Sequence, residues 1–170
     1  MSVTAIGRAF FKFRGTRVVT CPENHQPVAV RVSAMRSTES LRLGSCTRWP
    51  EKEGCDEACV RQIEESPEAT LVRAIATDWY TAKKCVVCHA PIAKIVWHER
   101  PPAVLAPDGT SREWKDVAPQ DLPAVLATHQ PVCWKCHVTE SFRREHAPLV
   151  VERPRPVEPE RTLEPSVNVY

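Results

Sequence analysis

Glycine is scarce in this chain, with five among 170 residues, and proline is abundant at sixteen. Average usage is about 7% and 5% respectively, so turns must be made with little backbone freedom and long regular elements are interrupted throughout. Long apolar runs are missing too. No stretch approaches the roughly 18 apolar residues of a membrane span, so no transmembrane segment is expected. A dominant charge is also absent: 23 basic and 21 acidic residues leave +2. No strong global field therefore draws the protein to nucleic acid, and no nucleic-acid partner is expected. The five tryptophans, Trp49, Trp79, Trp97, Trp114 and Trp134, have no basic cluster beside them, which favours packing around metal centres over stacking on bases.

Several enzyme signatures are likewise missing. The glycines at 7, 15, 44, 54 and 109 compose no phosphate loop, and there is no Gly-x-Ser-x-Gly elbow. His98 and Glu99 are adjacent and followed by Pro101 and Pro102, which fits neither a deaminase nor a metalloprotease helix. A thioredoxin-like use of Cys133 and Cys136 lacks the surrounding βαβ pattern. The balance points to a binding protein rather than an enzyme. Met1 to Thr20 lack a secretory signal, because Ala9-Phe10-Phe11 is broken at once by Lys12 and Arg14. The expected compartment is the cytoplasm. Residues 1–16 read as a basic extension leading into the first strand. Its alternative is a short peripheral membrane foot, with Phe10, Phe11 and Phe13 among basic residues.

What the chain does hold is eight cysteines. In reducing cytosol an even set favours metal over disulfides. The most specific feature is a repeated pentapeptide, Cys85-Val86-Val87-Cys88-His89 and Cys133-Trp134-Lys135-Cys136-His137. Two residues between cysteines let both sulfurs reach one centre about 2.3 Å away while backbone amides donate to the thiolates. The two pairs resemble the knuckles of zinc ribbons and rubredoxin-like sites, which implies one tetrahedral site of Cys85, Cys88, Cys133 and Cys136. The 44 residues between Cys88 and Cys133 exceed the usual spacing of about 15–20 and read as an insertion looped out between the knuckles. Cys21, Cys46, Cys55 and Cys59 fall at expected element ends or one helical turn apart. They form a candidate second site, with His25 a substitute for one thiolate; four reduced buried cysteines are the plainer alternative.

The same pentapeptides also resemble the haem-attachment motif of c-type cytochromes. That resemblance implies two haems on the paired cysteines, with His89 and His137 as axial ligands and sixth ligands among His25, His98, His129, His146 and Met35. Its function would be electron transfer, as it would be for iron in the thiolate sites. Cytoplasmic placement and the four remaining cysteines favour zinc, in one or two ions, and an interaction or adaptor module with a protein partner.

The predicted fold class is α+β. A small antiparallel sheet comes from Arg17 to Cys21, Val28 to Ser33 and Leu41 to Cys46. A helix capped by Asp56 ends near Pro67. A second helix follows to about Lys83, with Leu71, Val72, Ile75 and Trp79 as its core stripe. The zinc-ribbon-like knuckle unit spans 85–147. It should hold strands from Ile92 to Trp97 and near Trp114, a turn at Asp108-Gly109, a short helix within 119–129, and a helix from Glu140 to Glu145 capped by Thr139. His129 and His146 suit helix ends. The organisation is thus a metal-binding domain over 17–147, divided at 84/85, followed by a disordered proline-rich tail over 148–170.

Overall fold

A computed structural model describes residues 13–33, 41–52, 54–92 and 95–147. Most of the basic extension and the whole proline-rich tail lie outside them. The fold class is α+β, with two three-stranded antiparallel sheets and short helices. In the first sheet β1 (Thr16–Thr20) and β3 (Arg42–Cys46) flank β2 (Pro27–Ser33). Val19 pairs with Val28, and Val30 pairs with Cys46 beyond a register shift at Arg31/Val32. Alternation puts Val19, Val28, Val30 and Leu43 into one core, where Ile63 of helix α1 (Val60–Glu65) joins them. Such aliphatic burial stabilises by about 1.5–3 kcal/mol for each side chain.

Helix α2 (Val72–Tyr80) serves the other half. The stripe expected at Leu71, Val72, Ile75 and Trp79 is only half-buried, and the deeply buried positions are Ala76 and Tyr80. The reason is the polar ring edge: Tyr80 Oη donates to the Ala103 carbonyl at 2.6 Å and accepts from Trp114 Nε1 at 3.0 Å. Those bonds turn Tyr80 onto the second sheet, where it packs with Val104 and Val125. Trp79 Nε1 donates to the Leu126 carbonyl at 3.0 Å.

In the second sheet β4 (Ala103–Leu105) lies between β5 (Ser111–Glu113) and β6 (Gln130–Val132). The Asp108-Gly109 turn closes β4 to β5 as expected, with Asp108 accepting from the Thr110 amide at 2.8 Å. Two 3-10 turns, Trp114–Asp116 and Pro119–Asp121, lead into helix α3 (Leu122–Thr128). Pro123 falls in its first turn, where a missing amide costs nothing. The strand expected near Trp114 is β5, which ends one residue before it, and Trp114 itself begins a 3-10 turn. The run from Ile92 to Trp97 does not make the expected strand over its described part, since Val96 bridges Arg100 across a turn. Helix α4 (Trp134–Glu145) starts six residues before the expected Glu140. Thr139 is not its cap: its Oγ1 donates back to the Lys135 carbonyl at 2.9 Å within the helix.

Candidate metal centre

The span between the cysteine pairs is not looped out. It builds the second sheet, and that sheet is what brings the pairs together. The first pair begins in a tight turn: Cys85 N donates to the Ala90 carbonyl, and His89 N donates to the Cys85 carbonyl, both at 2.9 Å. His89 takes φ 58, a left-handed conformation. The second pair is built differently, since Cys133 is the residue preceding α4 and Cys136 lies in that helix's first turn. Strand β6 delivers Cys133 directly, with Val132 paired to Ala103 at the centre of the sheet. Two bonds then join the halves across the long sequence gap. Val86 N donates to the Pro131 carbonyl at 2.9 Å, and Cys133 N donates to Cys85 Sγ at 3.3 Å.

The four sulfurs of Cys85, Cys88, Cys133 and Cys136 lie within 4.8 Å of one another. Cys88 Sγ and Cys133 Sγ are 3.8 Å apart, far beyond a disulfide bond of about 2.05 Å and close to the edge of a tetrahedron with metal–sulfur distances of about 2.3 Å. All eight cysteines are free thiols. Cys85 is fully buried, Cys133 and Cys136 are half-buried, and Cys88 is exposed. The cluster is therefore anchored in the core and open at one corner.

Electrostatics separates the four thiols. Burial works to push the Cys85 thiol up, yet the amides of Cys133, Cys88 and Val87 outweigh it and bring it down to about 6. Burial pushes the Cys133 thiol up despite the Cys136 amide that donates to it. Burial, and then the neighbouring sulfurs of Cys133, Cys88 and Cys85, push Cys136 up. One thiolate is thus favoured while four together repel. A cation between them removes that repulsion, which is the physical reason such a cluster can hold a metal.

Comparison with protein-family models, with curated proteins and with solved structures found no match to this chain. The site therefore stands on its geometry. The residues fit a soft or borderline divalent ion, because four thiolates are its preferred donors.

His137 follows the second pair but points elsewhere. It is buried on α4, with Nδ1 3.0 Å from Ser111 Oγ and Nε2 3.5 Å from Glu113 Oε1, both on β5. Lys115, at 2.8 Å, is the chief cause holding the Glu113 carboxyl below its usual range. His89 is exposed on its turn. His129 and His146 end α3 and α4, as expected. Met35 lies outside the described residues. Sequence reasoning missed Ser111 and Glu113, since nothing in their spacing announces a contact with a histidine on a helix much later in the chain, 26 residues on from Ser111.

The other cysteines gather more loosely. Cys21, Cys46, Cys55 and Cys59 line a common small cavity with Trp49, but among the described residues only the Cys85 group closes to within 4.8 Å. Burial, followed by the proximity of Cys46, Cys55 and Cys21, pushes the Cys59 thiol up to about 11. The tryptophans divide accordingly. Trp49 borders this cavity and Trp134 adjoins Cys133, whereas Trp79, Trp97 and Trp114 pack edge to face in a cluster of their own.

Proposed function

We propose that this protein is a zinc-type metalloprotein whose four-thiolate site at Cys85, Cys88, Cys133 and Cys136 stabilises an interaction or adaptor module in the reducing cytoplasm. The convergence of four sulfurs within 4.8 Å carries this reading. An ion there ties the turn after α2 to the start of α4 and contributes folding energy to a second sheet whose strands have only three residues each. A protein partner is supported by apolar side chains left in solvent: Val87 beside Cys88, and Val138 and Phe142 one turn apart on α4, are 45%, 42% and 55% exposed. Singly exposed apolar residues are ordinary, but two on one helix face, with another next to the ligand Cys88, give a partner a foothold.

The dihaem alternative asks each cysteine pair to attach its own porphyrin and each following histidine to reach iron. Shared sulfurs at 3.8 Å and the engagement of His137 with Ser111 favour one small ion instead. Iron in the same four thiolates would make an electron carrier, and its colour separates it from zinc. Elemental analysis and an absorption spectrum of protein from its native host test the assignment. Colourless protein with bound zinc is the expected result. A Soret band surviving acid-acetone extraction, or visible thiolate-to-iron bands with stoichiometric iron, would overturn it.

A further inference from the structure

The backbone around Cys21 repeats the Cys85 turn bond for bond. Cys21 N donates to the Gln26 carbonyl, and His25 N donates to the Cys21 carbonyl, both at 2.9 Å. His25 takes φ 56 where His89 takes φ 58, and a non-glycine residue with positive φ is uncommon. In both turns the amides two and three residues downstream donate to the first sulfur. Val87 and Cys88 serve Cys85, and Glu23 and Asn24 serve Cys21. The turns differ at one ligand position: Asn24 stands where the other has Cys88. The sulfur absent there is matched by one from the far edge strand of the same sheet, because Cys46 at the end of β3 lines the same cavity as Cys21.

The opposite wall is built differently. Cys59 is the residue immediately before α1, as Cys133 is before α4, but its backbone is helical (φ −64, ψ −18) where that of Cys133 is extended (φ −75, ψ 155), and its partner Cys55 lies upstream of the helix where Cys136 lies within it. Cys55 accepts the Glu57 amide at 3.4 Å, the kind of bond that orients a ligating sulfur. The enclosed space is about 20 Å³, roughly one water-sized sphere and too small for an organic ligand. Arg48 Nη1 donates to Cys21 Sγ at 3.0 Å and pairs with Glu23 at 2.7 Å. Its charge offsets one of the thiolate charges around this space, which the Cys85 cluster has no comparable arginine to do among its described contacts.

We infer that the chain uses the same cysteine turn twice, and that Cys21, Cys46, Cys55 and Cys59 form a second thiolate site for a divalent ion of zinc type. The inference takes the Cys85 cluster as its template and so rests on the proposed function. On binding, each ligating thiol loses its proton to solvent and no electron is transferred. The sulfurs close from their present wider spacing onto the ion.

Native mass spectrometry of the full-length protein purified with zinc tests this. Two ions for each chain are expected, falling to one in Cys46→Ser and one in Cys55→Ser. A single ion in the unaltered protein, retained by Cys46→Ser and lost by Cys133→Ser, would overturn the second site and leave the first. The reverse pattern, with metal lost by Cys46→Ser and full metal content in Cys133→Ser, would overturn the first reading instead. Cobalt(II) titration of the unaltered, metal-depleted protein gives a readout needing no variant. Thiolate-to-cobalt absorption should saturate at two equivalents, and saturation at one or none would sink the inference.

Discussion

A serine at any of positions 85, 88, 133 or 136 replaces a thiolate with a poor zinc ligand. Each such variant should bind about one metal equivalent less and be destabilised by several kcal/mol, read by elemental analysis and urea titration. Wild-type metal content and stability in all four would rule the centre out. Tyr80 tests the surrounding core without touching a ligand. Its hydroxyl joins the Ala103 carbonyl to Trp114 Nε1, and Tyr80→Phe leaves both partners without it. The expected cost is about 1–3 kcal/mol with metal stoichiometry unchanged; a neutral effect on the urea midpoint would show that those groups find other partners.

At the scale of elements, the site depends on how α4 is held against the second sheet. His137 forms that latch through Ser111 and Glu113 on β5. Because it holds the helix turn that carries Cys136, the role expected of His137 under the proposed function is that of a positioning residue. Ser111→Ala should speed zinc transfer to a chromophoric chelator about tenfold, by analogy with losses of outer-shell partners in other metal sites, while stoichiometry stays the same. If His137 were instead an axial ligand, His137→Ala would abolish the bound group's spectrum and Ser111→Ala would not.

A second latch joins the first sheet to the segment entering α2. Arg17 is fully buried, donating to Thr70 Oγ1 at 3.0 Å and to the Pro67 carbonyl, while Val18 N donates to the Thr70 carbonyl at 2.8 Å. Gly15 lets the chain approach there: its φ is +116, and a Cβ would fall 2.8 Å from Leu71 Cδ1. Gly15→Ala should therefore cost about 1–3 kcal/mol, from backbone strain and overpacking together. The same change at Gly109 meets no neighbour within 4 Å, so only its backbone strain should register in the thermal midpoint.

Across the whole molecule, metal content should set the pH range of stability. Without metal, the raised Cys59, Cys133 and Cys136 thiols contribute stability that is present below the unfolded-state value and lost as pH rises through the folded one. For Cys59 that window runs from about 9, the unperturbed value, up to about 11. The depressed Cys85 thiol acts oppositely, its contribution being lost as pH falls toward about 6. Metal-free protein should thus weaken steeply between pH 9 and pH 11 in urea titrations, while the metal-loaded form, whose ligands are already thiolates, should not. Equal alkaline sensitivity of the two forms would contradict the metal assignment.

The sequence alone settled what is local. Cys-x-x-Cys spacing marks a site because four consecutive residues suffice to aim two sulfurs at one point, and alternation at Val28 and Val30 sufficed for the hairpin because strand period is two. The Asp108-Gly109 turn and a short helix within 119–129, with Pro123 in its first turn, were legible for the same reason. Tertiary structure decided what distant residues share. Whether Cys85 meets Cys133 depends on Val86 and Pro131 hydrogen-bonding across the second sheet, and no window of sequence contains both. Helix α4 was misplaced because Cys133 to Cys136 resembled a second turn, when the same spacing also fits the first turn of a helix, and packing of His137 against β5 selects the helix. The Cys21 turn was hidden for a related reason. Its backbone matches that of Cys85, but a hydrogen-bond pattern leaves no mark in sequence when Asn24 stands where the Cys85 turn has Cys88.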